Sequence, residues 1–303
     1  MTGPHKDFYV ISTKMAIEMG AANIIAAMGR GQPFFIGRNG STELESIQHY
    51  MECNKYKLPY HPGIIRRLQK VSGIWPPTPD NFELWVKDYL LSLSSIQGIA
   101  AGWYQPLAEY EAHLLKTMCP NAFQMPLRSL EPYYVEPPLR WTLGLKGKRV
   151  AVVSSFAETI AKQVQKGNVW PEGNMLPSDT EWIPIRTFFP MEISEGDATT
   201  SWPPEIKSWL HAVDRVVDQV VASGAQVALI GCGALAMSIG ARLFQRGISV
   251  VLMGGAIQVL FGIKGARWET HPVISTLWNY DWVWPDPSEK PPAASKIEHA
   301  CYW

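Results

Sequence analysis

Between residues 34 and 50 the chain reads FFIGRNGSTELESIQHY. An apolar run ends at Arg38, the small residues Gly40 and Ser41 follow, and Glu43 comes within the next helical turn. A guanidinium beside a carboxylate at such a corner supports two kinds of chemistry. The cation takes a phosphate, and the carboxylate takes a divalent metal or the proton of a hydroxyl. The plainer alternative is a surface ion pair or a helix cap. In an open α/β sheet ligands sit at the carboxyl ends of the strands, so the position of this corner matters as much as its residues.

Three other corners repeat the pattern. Ser154-Ser155-Phe156, Gly231-Cys232-Gly233 and Gly254-Gly255 each place small residues between a β-branched run and a helix. Small residues there let a ligand approach backbone N–H groups, and the helix dipole favours an anion. Tight turns need glycine for steric reasons alone, so four corners converging on one sheet edge argue more than any one of them. The segment GCGALAMSIG matches the dinucleotide fingerprint only in part. Ala236 stands where its third glycine belongs, and no acid closes the strand ISVVLMGG, which counts against NAD.

Further candidate cations for a phosphate pocket are Lys264 and Arg267 in FGIKGARWE and Arg128 in PLRSLEPYY. For the first two, simple complementarity to a helix C-terminus is the alternative. Tyr133 and Tyr134 offer ring faces and hydroxyls to a sugar or acceptor, or serve as core aromatics. The chain carries no GxSxG elbow, P-loop, HExxH or paired-carboxylate glycosidase signature.

The elements that must position these residues follow from periodicity. Apolar runs at Phe34–Gly37, Gly98–Gly102, Lys148–Ser155, 181–187, 226–230 and 248–253 read as strands. Helical spacing covers 12–29, where Ile17, Ala21, Ile24, Ile25 and Met28 share a face, and also 82–95, 107–117, 158–166, 203–222, 234–245 and 256–262. Ser41 or Thr42 is the expected cap of the helix carrying Glu43, and Pro204 suits the first turn of the helix from 203. Residues 120–147 read as irregular, and 167–204 as a long ordered loop rich in Trp and Pro, suited to a lid. The last forty residues read as a wrapping tail. The alternation predicts an α/β fold with a Rossmann-like, mostly parallel sheet and helices on both faces. It divides into residues 1–147 and 148–303, as two Rossmann-like halves or one continuous domain.

Composition narrows the function classes. The 303 residues are 47% hydrophobic, with 27 Lys+Arg balancing 27 Asp+Glu. A formal charge of zero argues against a general nucleic-acid binder but leaves room for a local basic pocket. Cys53, Cys119, Cys232 and Cys301 form no CxxC pair and read as reduced thiols of a cytoplasmic protein. The N-terminal MTGPHKDFYV lacks the apolar region of a signal peptide. The uncharged stretches 227–241 and 248–263 are too short to span a membrane and read as strand followed by helix.

Taken together, RNGSTELESI, RVAVVSSFAETIAKQ, ALIGCGALAMSIGARLFQRGISVVLMGGAIQVLFGIKGARW and KIEHACYW resemble a family of polysaccharide-biosynthesis proteins related to the GT-D-fold glycosyltransferases. The resemblance runs from about residue 33 onward. It implies a glycosyltransferase that moves a sugar from a nucleotide-sugar donor, a UDP- or GDP-sugar, to a glycan or glycoconjugate hydroxyl. The family's Asp-x-Glu motif, after Arg-x-Gly, binds a divalent metal and the donor diphosphate. Here Arg38, Gly40 and Glu43 match it, but Ser41 replaces the Asp. A serine hydroxyl is a much poorer ligand than a carboxylate, so dependence on Mn²⁺ or Mg²⁺ is in doubt. Two alternatives stand beside the transferase: a non-catalytic nucleotide- or glycan-binding member of a polysaccharide-synthesis system, and another Rossmann-type nucleotide-dependent enzyme.

Overall fold

The structure, a computed structural model, describes residues 4–170 and 175–303, with side chains from Thr13 onward. Helix α1 (Pro4–Gly29) leads into β1 (Phe35–Arg38), then α2 (Ser41–Tyr56), α3 (Pro62–Ser72), α4 (Pro79–Leu93), β2 (Gly98–Ala100), α5 (Ala108–Met118) and β3 (Phe123–Met125). There follow β4 (Arg149–Ser154), α6 (Ala157–Lys166), β5 (Glu181–Arg186), α7 (Met191–Ser194), α8 (Trp209–Ala222), β6 (Val227–Gly231), α9 (Leu235–Gln245), β7 (Ser249–Leu252) and α10 (Ala256–Leu260).

The seven strands form one sheet in the order β3-β2-β1-β7-β6-β4-β5, and every pair is parallel. Parallel strands covered on both faces read as continuous apolar runs, which is why these segments stood out in the sequence. Successive residues alternate between two cores. Ala151, Val153, Ala228, Ile230, Val250 and Leu252 face one with α2, α4, α8 and α9. Val150, Val152, Val227, Leu229 and Val251 face the other with α1, α6 and α10. Strands from residues 1–147 and from 148–303 meet at the pairing of β1 with β7, where Ile36 lies beside Val251.

The connections set the position of the site. From β4 the chain crosses through α6 to β5 on one side, whereas from β6 it crosses through α9 to β7 on the other. Right-handed crossovers in opposite directions put α6 and α9 on opposite faces. The carboxyl ends of the neighbours β4 and β6 therefore open into the crevice where open α/β sheets bind ligands. Register levels these ends, with Ser154 paired to Gly231 and Ile230 to Leu252.

Three local expectations change, and helix α3 forms where none was predicted. Within the segment read as irregular, β3 forms because Phe123, Gln124 and Met125 pair with β2, a non-local contact with no periodic signature. Helix α8 starts at Trp209 rather than 203: the Ser208 hydroxyl caps it by accepting from the His211 N–H at 3.4 Å, and Pro204 lies ahead of it. Helix α2 starts at Ser41 with Gly40 as its N-cap, so neither Ser41 nor Thr42 caps it. Helix α3 carries apolar side chains on one face, with Ile65 and Leu68 buried, between a His61 cap and Gly73 in the left-handed region.

In the Trp- and Pro-rich segment the tryptophans are anchors. Trp170 stacks on Tyr133 and meets Trp282 edge-on, Trp202 stacks on Trp75, and Trp182 meets Phe261 edge-on. Pro171 lies outside the described residues. Among the described residues no helix is long and apolar enough to cross a membrane.

The tail is clamped to the sheet through the fully buried Glu289. Its carboxylate accepts from the N–H of Glu158 at 2.7 Å and of Thr159 at 3.3 Å, and from the Thr159 hydroxyl, so it caps α6 from a distant part of the chain. Truncating it strands three donors in the interior. Glu289→Ala is expected to destabilise the protein by about 2–4 kcal/mol, read from urea unfolding. Glu289→Gln keeps an acceptor and is expected to lose less.

Candidate functional site

A cleft of about 200 Å³ opens at the carboxyl edge of the sheet. Its wall includes Arg38, Gly40, Ser41 and Glu43 after β1, Ser155 and Phe156 after β4, Thr187 to Pro190 after β5, Gly231 to Gly233 after β6, and Gly254 and Gly255 after β7. All four corners singled out in the sequence thus meet in one cavity. A fifth strand end, that of β5, joins them.

The first corner is fixed from beneath by a buried polar chain. Asn39 is fully buried. Its amide donates to Glu111 Oε1 at 2.8 Å, and its Oδ1 accepts from the Tyr89 hydroxyl at 2.9 Å. Glu111 Oε2 accepts from the Gly102 N–H at 2.8 Å, which ties the corner to the end of β2. Above this anchor the Arg38 guanidinium lies over the Trp103 ring, 4.3 Å from its centre, while Nε donates to the Asn39 carbonyl at 3.3 Å. Arg38 makes no salt bridge within 4 Å among the described residues. A stacked, oriented guanidinium with no carboxylate partner suits bidentate contact to a phosphate.

Glu43 sits in the first turn of α2 with only 6% of its surface exposed. Its carboxylate folds back over Gly40, where an added Cβ would lie 1.7 Å from Oε2. Glycine at this position is therefore what admits the carboxylate. Burial raises the Glu43 pKa above the ordinary glutamate value. Its own backbone N–H, the Ser72 hydroxyl and Arg38 offset part of that rise, and Glu298 across the cleft adds to it. A buried carboxylate whose affinity for a proton is raised is what a general base requires. Glu45, one turn face away, instead binds the Tyr104 hydroxyl at 2.6 Å and pairs with Arg67.

The remaining corners differ in what they leave free. After β4, the Phe156 N–H donates to Ser154 Oγ at 3.2 Å, and the next amides of α6 are taken by Glu289. Ser154 itself is buried behind the wall. After β6, the Ala234 N–H donates to the Ser72 carbonyl at 3.0 Å. Gly233, with φ of 61°, lets the turn press against that same carbonyl, 2.8 Å from where a Cβ would be. Ser41 and Thr42 occupy the first two positions of α2, where N–H groups have no intrahelical acceptor. No side chain caps these two N–H groups, which lie beside the Glu43 carboxylate and near Arg38 and so offer an anion a place; the starts of α9 and α10 also lack a side-chain cap.

Several predicted residues lie elsewhere. Lys264 sits over the Trp278 ring, 5.4 Å from its centre, outside the cleft wall. Arg267 pairs with Glu298 at 3.0 Å and stacks on Tyr302, backing the Gly254-Gly255 turn. Arg128 stacks on Tyr134 at 4.6 Å, and Tyr133 is buried against Trp170, so these three form a cluster beside the cleft rather than its wall. Glu131 joins them: burial pushes its pKa up to about 7, against the pull of Arg38 and Arg128.

Other wall residues were not singled out as site candidates, although the tail ones lie in the KIEHACYW stretch of the resemblance. Lys70, Ser72 and Gly73 come from the end of α3, and Ile297, Glu298, Tyr302 and Trp303 from the tail. Cys232 also lines the cleft, with burial pushing its thiol far up and leaving it unreactive.

The donor set does not fit a metal held by protein ligands alone. Glu43 supplies one carboxylate, Ser41 a hydroxyl, and Glu298 is engaged by Arg267 and by the Tyr302 hydroxyl at 3.0 Å. Among the described residues no three His, Cys, Asp or Glu side chains gather as ligands. The fold and cleft together define a Rossmann-like α/β protein with an anion-suited site at its topological switch point. No protein-family model, curated protein or solved structure matches the chain.

Proposed function

We propose that the protein is a glycosyltransferase that moves a sugar from a UDP- or GDP-sugar to a hydroxyl of a glycan or glycoconjugate. The observation that carries this reading is the pairing, in one cleft, of a buried proton-accepting carboxylate with an uncapped helix start and an unpaired stacked arginine. Sugar transfer needs both. The diphosphate lies against the first turn of α2, with Arg38 and the exposed Lys70 supplying positive charge. Glu43 removes the proton from the acceptor hydroxyl as its oxygen bonds to the anomeric carbon. The bond from that carbon to the diphosphate oxygen breaks, and the nucleoside diphosphate departs with the electron pair. Positive charge and N–H groups stabilise the charge that develops on it. Residues Thr187 to Pro190 wall the other side and help exclude water, which limits hydrolysis of the donor.

A thermal-shift screen against UDP, GDP and NAD tests the class of ligand. Stabilisation by UDP or GDP supports the transferase, stabilisation by NAD alone supports another Rossmann-type enzyme, and neither supports a non-catalytic role.

Metal dependence gives a second expectation. With Glu43 the one carboxylate at the motif, the cations carry more of the diphosphate charge. Transfer is expected to persist in part in EDTA. Complete loss, restored by Mn²⁺, would show that the donor and water complete a metal's coordination around Glu43.

A further inference from the structure

One cleft residue is built as a hydrogen-bond acceptor with nothing to accept from. Gln258, in α10, lines the cleft and is fully buried. Its Nε2 donates to the Tyr302 carbonyl at 2.7 Å and to the Lys264 carbonyl at 3.3 Å. Both partners are carbonyls, so they fix which end of the amide is nitrogen. Oε1 is left, buried, with no donor among the described residues. An unmet buried acceptor is costly, and native interiors keep few of them without a reason.

The surroundings say what kind of group meets it. Tyr302 is followed by Trp303, whose ring meets Phe156 at 5.8 Å and Phe189 at 5.9 Å between centres. All four of these aromatic residues line the cleft. This end is aromatic, with its ion pair, Arg267 to Glu298, lying against Tyr302, whereas the start of α2 carries Arg38 and Lys70 without such a pair among the described residues. A phosphate has no N–H to offer and its oxygens repel an amide oxygen, so Oε1 does not belong to the anion cradle. A ring with a neutral N–H or O–H donor satisfies it and fills the aromatic end.

We propose that Gln258 Oε1 is a specificity contact that accepts a hydrogen bond from the ring portion of the donor substrate, either the imide N–H of a nucleobase or a sugar hydroxyl. This rests on the transferase reading and assigns the two ends of its cleft. The geometry requires the ring at the tail and the diphosphate at α2. Tyr302 and Trp303 then act as the walls that hold the ring against the acceptor.

The test is calorimetric binding of pyrophosphate, UDP, 3-methyl-UDP and UDP-glucose to the full chain and to Gln258→Met. Wild type is expected to bind UDP or UDP-glucose about ten- to a hundredfold more tightly than the variant does, with pyrophosphate affinity equal in both. Equal pyrophosphate affinity reports that the α2 end of the variant's cleft is intact; because Met also loses the Nε2 bond to the Tyr302 carbonyl, the decisive comparisons are those made in wild type. If the base is the source, wild type rejects 3-methyl-UDP by a similar factor, a measurement that needs no variant. If the sugar is the source, wild type gains affinity from UDP to UDP-glucose and the variant does not. The proposal is overturned if wild type binds UDP but neither N-methylation, nor the added sugar, nor the substitution changes affinity relative to pyrophosphate. Failure of wild type to bind any of the four, or GDP and GDP-mannose in the same assay, overturns the transferase reading, and the assignment of Gln258 with it.

Discussion

Glu43→Gln is expected to abolish sugar transfer, lowering kcat by about a hundred- to ten-thousandfold, with the protein still folded. Gln preserves the shape that Gly40 admits and can still accept from the Ser72 hydroxyl, but it takes no proton at neutral pH. The pH dependence separates a base from a merely structural carboxylate. Burial raises the folded-state pKa of Glu43. Transfer by wild type should therefore rise with pH through a titration displaced above the ordinary glutamate value. The same shift has a consequence for stability. The folded state holds this proton more tightly than the unfolded state, so the stabilising contribution is full below the unfolded pKa. It is lost as pH rises through the raised folded pKa. At pH 8 the Glu43→Gln protein should melt no lower than wild type, because a buried charge has been removed. A variant with near-full transfer would take Glu43 out of the chemistry. A variant that loses activity only because it unfolds would make it structural.

The second large effect is expected at Arg38. Arg38→Met should weaken UDP binding by about ten- to a hundredfold, the range for losing charge-assisted hydrogen bonds. Arg38→Lys should recover little. The stack on Trp103 and the bond to the Asn39 carbonyl orient a planar fork with two parallel donors, which an ammonium cannot present. Arg38 also pulls the Glu43 pKa down. Its removal should therefore move the pH profile of transfer to higher pH, in addition to weakening binding. Isothermal titration with UDP and a pH–rate series on each variant check both parts. Unchanged UDP affinity in Arg38→Met would place the diphosphate elsewhere.

The strands of the second half were readable because they are buried on both faces and rich in β-branched residues, as in RVAVVSS and ISVVLMGG. The four βα corners were readable because small residues must stand where a strand turns into a helix, and their convergence followed from a parallel sheet. Other features leave no local trace. Strand β3 exists through pairing with β2 and has three residues. The anchor that fixes the first corner joins Asn39, Tyr89, Gly102 and Glu111 across four elements, and no spacing in the sequence links them. The tail gave its composition and the KIEHACYW stretch of the resemblance, but not its place in the fold. That Glu298, Tyr302 and Trp303 return to the cleft depends on Glu289 clamping α6 and on Gln258 binding the Tyr302 carbonyl, both contacts between distant parts of the chain. Lys264 was a reasonable cation by position, since the turn after α10 carries it past a helix end. Its stack on Trp278 points it away from the cleft wall.

A structure of the complex with UDP is the decisive measurement. The diphosphate is expected against the N–H groups of Ser41 and Thr42 and the Arg38 guanidinium, with the uridine extending toward Gln258 and Trp303. A nucleotide bound at the opposite edge of the sheet, with the cleft at the ends of β1, β4, β6 and β7 empty, would contradict it.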